Sequence, residues 1–531
     1  MEYNDILKEL KDKHNVLPEN IITLHGEEVY IETPDNTFAS ACRFLHKKLK
    51  SPVMMMYATD ERKDRSRYVL YCVFISVEHK KWYFLKTPIP GDNPAFQSIA
   101  KDIFSANLFE REIKEMFGIK PEGNPDMRTL RLHEEVWPPN NFPLRKDFSA
   151  ASAIKTSAVT KQGYKFNKID GEGIFEIPVG PVHAGIIGPG HFRFSVAGEP
   201  VINLEIRLGF THRGIEKLLE GNHPLDGITL AECVSGDTAF AHSLAYCNAL
   251  EKVYGLKITE HAMVLRSIYL ELERMYNHVS DIGGIALDAG FTFPSAYSSI
   301  LKETLLCLND KITGSRYLKG INTIGGVTKN IDEPARKLLK TTLDTVMPDF
   351  IELTEILYSS ASFMDRIETT GILTKNVAED LGVIGLAARA SGIPLDLRTN
   401  FPGIYDKTNL KIITQPSGDC AARFNMRVQE FMESARVIKE LIQILPSGEL
   451  CREEIIPRTN AGCGLGYTES WRGPVLYWIN TDADGKIARC KIVDASFRNW
   501  QGLAFALPGN IVPDFPLCNK SFNLSYSGND L

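Results

Sequence analysis

His261-Ala-Met-Val-Leu-Arg266-Ser-Ile-Tyr-Leu270-Glu271-Leu-Glu273-Arg274-Met-Tyr-Asn277-His278-Val-Ser-Asp281-Ile-Gly-Gly-Ile-Ala-Leu287 is the longest helical candidate in the 531-residue chain. Its apolar residues recur at helical spacing, and Arg274, Asn277 and Asp281 fall three or four apart, on one helix face. The helical pattern continues on either side, from Asp237 to about Tyr358, and a series of long helices implies a bundle. Upstream, between Gly171 and Leu208, Phe192, Phe194, Val196 and then Val201, Asn203, Glu205 alternate around Ala197-Gly-Glu-Pro200, which predicts a β-hairpin. Beyond Ile455 the pattern returns to strands at Val475 to Ile479 and Ile487 to Val493, followed by a Pro- and Gly-punctuated tail.

The first 120 or so residues mix helix and strand signals, as in an α+β domain. A charged amphipathic helix comes first, then strands at Val53 to Tyr57, Tyr68 to Val77 and Lys81 to Lys86, with a break expected at Pro88, Pro90, Gly91 and Asp92. Helical spacing from Phe96 to Phe117 ends at Gly118. Pro121 to Phe148, with Pro125, Pro138, Pro139 and Pro143, reads as an extended arm, and Ser149 to Lys168 as a linker. The fold class is therefore α+β. Residues 1–148 form one α+β domain, 149–170 the linker, and 171–531 a helix-bundle domain with β-hairpin elements at both ends.

Sixty Lys and Arg against 66 Asp and Glu leave a net charge of −6, which argues against nucleic acid as a partner. The ten cysteines contain no Cys-x-x-Cys, so neither a zinc ribbon nor a cysteine-bound cluster is expected within the chain. The start lacks the apolar core of a signal peptide, which predicts a cytoplasmic location. The strongest apolar run, Tyr68 to Val77, is far shorter than the roughly 20 residues of a membrane-spanning helix, so membrane association is expected through partners. Gly462-Cys-Gly-Leu-Gly-Tyr467 has no Rossmann spacing and reads as a mobile turn, and His133-Glu-Glu-Val-Trp137 lacks the second His of a zinc-protease helix.

Longer strings carry a resemblance. Ala106-Asn-Leu-Phe-Glu-Arg-Glu-Ile-Lys-Glu-Met-Phe-Gly118, Gly123-Asn-Pro-Asp-Met-Arg128 and Pro143-Leu-Arg-Lys-Asp-Phe148 resemble the 30-kDa subunit of respiratory complex I, with Asn124 where that family commonly has His. Gly180-Pro-Val-His183, Pro189-Gly-His191-Phe-Arg193, Thr211-His-Arg213-Gly-Ile-Glu216-Lys, Phe240-Ala-His242-Ser and Glu273-Arg274-Met-Tyr-Asn277-His278-Val-Ser-Asp281 resemble the complex I 49-kDa subunit and the large subunit of membrane-bound (group 4) nickel-iron hydrogenases. The first resemblance implies an assembly domain without chemistry of its own. The second implies a partner iron–sulfur small subunit like the complex I 20-kDa subunit, antiporter-like and anchor subunits in the membrane, and a place on the cytoplasmic face of that membrane.

A hydrogenase of this family holds nickel with four cysteines, because soft thiolates bind the metal and bridge it to iron. Counting back from Phe240 puts the first pair at Ser235 and Thr238, beside Cys233. The second pair, Asp-Pro-Cys-x-x-Cys in the family, is placed at Asp514-Phe-Pro516-Leu-Cys518-Asn519-Lys-Ser521. Neutral hydroxyls replace thiolates, so no native nickel-iron centre is expected. In complex I the corresponding cleft binds quinone through a His, a Tyr and an Asp. Here the resemblance offers His191 and Asp288, the Tyr position falls on Gly236, and Ser235 or Thr238 would have to supply the second donor.

For other residues two readings stay open. Glu216 and Arg213 match the family's proton-path region or form a structural ion pair. His183 and His242 line the cleft or are hydrogen-bonded core histidines. Arg274, Asn277 and Asp281 form a relay or a static network. Glu469 and Arg472, flanking Trp471, belong to a site segment or cap the last sheet. Asp237 is the acidic group introduced into the altered loop. The expected function is that of an oxidoreductase subunit, passing electrons from the partner's cluster to a quinone or coupling them to ion translocation. An inactive scaffold and a hydrogenase with atypical ligands, of the formate hydrogenlyase type, are the alternatives.

Overall fold

The computed structural model describes residues 3–151, 163–183, 187–452 and 461–531. The N-terminal domain is built on a five-stranded sheet in the order Ile21–Leu24, Glu28–Glu32, Lys81–Pro90, Arg67–Ser76, Met55–Glu61. All neighbours are antiparallel except Glu28–Glu32 with Lys81–Pro90. Tyr3–His14 and Asp35–Leu49 are helices, the second packed on the sheet. The break expected at Pro88 is instead the end of a long strand. Pro88 and Pro90 lie beyond Lys86, where the parallel partner stops, so their missing N–H groups interrupt no ladder on that side.

Helix formation between Phe96 and Phe117 is confined to Asn107–Phe117, and Gly118 (φ 71°) ends it as expected. The segment before it holds a short strand, Ala95–Gln97, paired with Lys120–Glu122, and a 3-10 turn at Phe104–Ala106. Ile99 and Ile103 there are buried by tertiary packing and not by a helix face.

The hairpin lies where the alternation put it, as His191–Ala197 and Val201–Arg207, with Ile174–Val179 as a third antiparallel strand. The bundle comprises Ala239–Tyr254, Glu260–Asp288, Thr292–Thr313, Glu333–Ser359 and Cys420–Ile444. Glu260–Asp288 is the central helix, packed on both Thr292–Thr313 and Cys420–Ile444. Its start is fixed by Thr259, whose hydroxyl accepts the Ala262 N–H at 3.1 Å.

Two C-terminal expectations are corrected. The Gly462 segment is a strand, Gly462–Glu469, at one edge of an antiparallel sheet with Pro474–Thr481 and Ile487–Val493. Its alternate glycines bring the strand against a helix: a Cβ on Gly464 would meet the Ala249 carbonyl oxygen at 2.9 Å, and one on Gly466 would collide with the carbonyl of Ala245. The tail is three helices, Ser496–Ala506, Phe515–Phe522 and Tyr526–Asp530, whose Leu503, Leu517 and Phe522 are buried.

The N-terminal sheet packs directly on this C-terminal sheet. Trp478 stacks near Tyr57 (4.7 Å between centroids) and its indole N–H donates to Tyr30 Oη at 3.0 Å. Below them lies a buried ion cluster. Lys491 donates to both oxygens of Glu112 (2.6 and 2.7 Å) and to Glu216 (3.1 Å), while Arg489 pairs with Glu216 at 2.8 Å and Arg131 with Glu112 at 2.5 Å. Among the described residues no helix is long and apolar enough to cross a membrane.

Candidate functional site

The loop Ser235–Thr238 precedes the helix Ala239–Tyr254, and its four residues close a turn in which Thr238 N–H donates to the Ser235 carbonyl at 3.0 Å. Ser235 Oγ donates to Asp237 Oδ1 at 2.8 Å and lies 2.8 Å from Ser525 Oγ. Thr238 Oγ1 donates to the same Asp237 oxygen at 3.0 Å. Gly528 N–H donates to Ser525 Oγ at 2.9 Å, which fixes the hydroxyl that meets Ser235.

A guanidinium occupies the middle of this arrangement. Arg472 donates to Asp237 at 2.8 and 2.6 Å and to Thr238 Oγ1 at 3.0 Å, its third nitrogen is held by the Asn523 carbonyl at 2.6 Å, and its plane covers the Trp471 ring at 3.9 Å. The Trp471 indole donates to Thr238 Oγ1 at 3.2 Å. Asp237 keeps 40% of its side chain exposed. Desolvation pushes its carboxyl up, but the charge and hydrogen bonds of Arg472, helped by the two hydroxyls, win and hold it well below the usual carboxylate range.

Behind the loop, Glu273 accepts the Phe240 and Ala241 N–H groups at 2.8 and 3.1 Å. Burial pushes its carboxyl up to about 8, with the nearby Asp237 charge adding to the rise, although the helix N-terminus and Arg274 oppose it. Asn277 donates to the Asp237 carbonyl at 2.8 Å. His242 is fully buried between Tyr477 Oη (2.9 Å) and Asp494 (3.1 Å).

From here a buried ionic chain runs along one face of the central helix. Glu271, Arg274, His278 and Asp281 recur at spacings of three and four, and all are buried. Arg274 pairs with Glu271 at 3.2 Å and Glu430 at 3.4 Å, and donates to the Glu469 and Ser470 carbonyls. His278 Nε2 lies 3.0 Å from Glu430, and Arg389 joins Glu430 (2.8 Å) to Glu469 (2.7 Å). Arg398 links Glu271 and Asp396, while Arg427 holds Asp281 at 2.7 Å. A helix face that is polar and buried is satisfied only by partners from other elements, and these come from segments as distant as residues 389–398 and 420–444.

The remaining sequence candidates lie apart from this network. Arg213 donates to the Cys233 and Val234 carbonyls at 2.6 and 3.0 Å and so holds the loop from behind, whereas Glu216 belongs to the Lys491 cluster. Burial would raise the Glu216 carboxyl, but Lys491 and Arg489 lower it to about 2. His183 Nε2 meets the Gly190 carbonyl at 2.8 Å. His191 Nδ1 meets that of Gly180 at 3.3 Å, and its Nε2 is buried with no partner among the described residues. Asp288 closes the C-terminal end of the central helix, its carboxyl raised by burial against the opposing charge of Lys520.

The residues assigned to the second ligand pair lie away from the loop. Cys518 is against Cys420, whose Sγ donates to Ser521 Oγ at 3.4 Å beside Arg423, Asn519 reaches Tyr526 at 3.5 Å, and Pro516 opens the Phe515–Phe522 helix on the exposed side. Ser525 is the residue that meets Ser235. Nothing in Ser525-Tyr-Ser-Gly528 marks it in the sequence, which carries no cysteine there.

These residues do not fit a nickel-iron centre. Ser235, Thr238 and Ser525 offer neutral hydroxyls, and the guanidinium of Arg472 already bonds to Asp237 and Thr238, so a cation would meet a fixed positive charge and no thiolate. Among the described residues no group of three His, Cys, Asp or Glu converges for a metal.

The fold and this site define a subunit of the complex I and membrane hydrogenase class. Residues 288–461 match the family described as the 49 Kd subunit of respiratory-chain NADH dehydrogenase, and residues 31–153 the 30 Kd subunit. Formate hydrogenlyase subunit 5 of Escherichia coli is 30% identical over 95% of this chain and 89% of its own, and hydrogenase-4 component G of the same organism 30% identical over 95% and 88%. The C/D subunit of an NADH-quinone oxidoreductase from Bacteroides thetaiotaomicron is 28% identical over 75% of this chain and 78% of its own. The chain belongs to this family of fused 30-kDa-like and 49-kDa-like subunits. Its fold is also that of a chain in the membrane-bound sulfane sulfur reductase, an archaeal respiratory membrane complex (TM-score 0.64, 23% identity, covering 69% of this chain and all of that one).

Proposed function

We propose that the chain works without a nickel-iron centre, as the subunit that takes electrons from a partner iron–sulfur subunit, passes them to a quinone and couples their passage to proton movement. Two electrons and two protons convert a quinone to its quinol, so the site must manage protons as well as charge. The observation that carries this reading is the network of Ser235, Thr238, Ser525 and Asp237 around Arg472, in the loop where the family resemblance expects thiolates. A fixed cation beside an exposed carboxylate does no redox chemistry, but it responds to each electron that arrives nearby by changing the proton affinity of its neighbours. Glu273, poised at about 8 behind the loop, is the neighbour best suited to answer. His191, with its partnerless Nε2, is the donor we assign to a quinone carbonyl. We place the chain on the cytoplasmic face of the membrane, held there by antiporter-like and anchor subunits, and assign residues 1–148 to assembly, 149–170 to the linker and 171–531 to the electron-linked domain.

The test is made on the intact purified complex, by measuring nickel, hydrogen oxidation and quinone reduction on one sample, with Asp237→Asn and His191→Ala alongside. Quinone reduction without nickel, lost in both variants, is the expected result; stoichiometric nickel with hydrogen turnover overturns the reading. A second reading, an inactive scaffold, is favoured by the dense hydrogen bonding that already fills the former metal position. It predicts wild-type turnover in both variants.

A further inference from the structure

Between the N-terminal hairpin and the start of the central helix lies a cavity of about 490 Å³. His25 and Met263 (39% exposed) stand at its rim, Leu244 and Phe401 line its wall, and Arg398 and Glu469 reach its inner end. It has room for several waters at roughly 30 Å³ each. Glu469 is itself 1% exposed and belongs to no surface ion pair. Its Oε1 bonds Arg389 at 2.7 Å and its Oε2 accepts the Leu397 N–H at 3.1 Å.

Beyond Glu469 the contacts run without interruption toward the candidate site. Arg389 bonds Glu430, Glu430 bonds His278, and the His278 ring meets the Trp471 ring edge-on at 6.2 Å between centroids. The Trp471 indole donates to Thr238 Oγ1 and its face carries Arg472, the partner of Asp237. Of the two carboxyls that line the cavity, Glu251 pairs with Arg266, whereas Glu469 shares the Arg389 guanidinium with the chain leading inward.

We propose that this cavity is the mouth through which solvent protons reach Glu469, a buried carboxyl whose charge is coupled through Arg389 to the candidate site. The inference rests on the proton-coupled reading of the Asp237–Arg472 network. A hydronium ion in the cavity gives a proton to a Glu469 oxygen and leaves as water, and the proton returns to solvent when Glu469 recovers its charge. The neutralised carboxyl releases Arg389 to Glu430, which loosens the hold of Glu430 on His278, and that shift of hydrogen bonds and charge, not the proton itself, passes through Trp471 to the loop. The guanidinium groups keep their protons throughout. The groups facing Glu469 are Arg389 and Asp396 from the 389–396 segment, Arg274 from the central helix, Glu430 from the Cys420–Ile444 helix and Arg398. Burial first, then the Asp396 charge, push the Glu469 carboxyl up to about 7 against the pull of Arg389, which suits a group that must both gain and lose a proton near neutrality.

The experiment uses the intact complex in sealed vesicles, comparing Glu469→Gln, Glu469→Asp, Met263→Trp and Asp237→Asn for quinone reduction, proton uptake and solvent deuterium isotope effect across pH. Glu469→Gln is expected to lose about tenfold or more of proton-coupled turnover, with Glu469→Asp recovering part of it. Met263→Trp, which fills the rim and leaves the buried ion pairs alone, is expected to slow turnover about two- to fivefold and raise the isotope effect, a change that a packing role would not produce. Wild-type turnover and isotope effect in Met263→Trp and Glu469→Gln, with Asp237→Asn inactive, overturns the proposed mouth and leaves the proton-coupled reading intact. Wild-type behaviour in all of them overturns that reading as well. Should Glu469→Gln fail to assemble, Met263→Trp decides.

Discussion

Ser235 Oγ and Ser525 Oγ lie 2.8 Å apart although 290 residues separate them in the chain. That contact closes the site, because it joins the loop before the Ala239–Tyr254 helix, where Ser235 and Arg472 hold Asp237, to the turn before Tyr526–Asp530, where Gly528 N–H holds Ser525. The contact is between two alcohols, each satisfied by the other and by a neighbour, and the completeness of that bonding governs how the site responds to substitution.

Restoring the cysteines does not restore the metal. The quadruple variant Ser235→Cys, Thr238→Cys, Ser525→Cys, Gly528→Cys is expected to hold only background nickel, since Arg472 stays among the ligands and a Cβ on Gly528 would sit 2.9 Å from the Asp494 carboxyl carbon. Elemental analysis checks this, and a stoichiometric metal in the variant contradicts it.

Glu273 makes stability fall as pH rises. Its folded-state value is raised to about 8, so between roughly 4.5 and 8 the folded chain binds more protons at this group than the unfolded chain, and each step upward in pH favours unfolding. Glu273→Gln is expected to flatten this slope, raising Tm near pH 8 relative to wild type by roughly 2–4 °C per kcal/mol recovered while leaving it unchanged near pH 4. Thermal melts at the two pH values decide it.

Asp237 acts in the opposite direction. Its carboxyl is held below the usual range by Arg472, so its contribution is complete above about pH 4 and is lost as pH falls through the lowered folded-state value. Asp237→Asn is therefore expected to narrow the difference between neutral and acid stability, and an unaltered acid unfolding curve argues against the ion pair.

Lys491 ties the two halves together. Lys491→Ala leaves Glu112 without a partner on one side and removes the hydrogen bond to Glu216, both of them buried. Losing one member of a buried charged cluster costs about 3–5 kcal/mol, whereas Arg436→Ala, which breaks exposed pairs with Glu433 and Glu440, should cost under about 1 kcal/mol. Denaturant unfolding of the two variants gives the comparison.

Gly466→Ala is expected to cost about 1–3 kcal/mol or more, because the added Cβ collides with the Ala245 carbonyl and presses on Ala249 Cβ at 2.9 Å. Gly236→Ala, where nothing lies within 4 Å, is its control. Similar midpoints for the two would show that the strand can retreat from the helix.

The sequence by itself determined the elements whose cause is local. Apolar residues at helical spacing made Glu260–Asp288 legible, alternation around Ala197-Gly-Glu-Pro200 located the hairpin, and Gly118 marked the end of a helix. Its resemblance to the hydrogenase family also implied that Ser235 and Thr238 stand where that family has thiolates. What it could not decide was partnership. Glycines at alternate positions in Gly462–Glu469 look like a turn until a helix lies against them, and Ser525 has no mark of its own until Ser235 is placed opposite. Arg274, Asn277 and Asp281 were visible as one helix face, but Glu271 and His278, which join that face, and Glu430, Arg389, Arg398 and Arg427, which make burying it possible, were not, the last four because they come from segments far off in the chain. Charges cost too much to bury alone, so their meaning is set by the residues that meet them, and only the tertiary structure decides which those are.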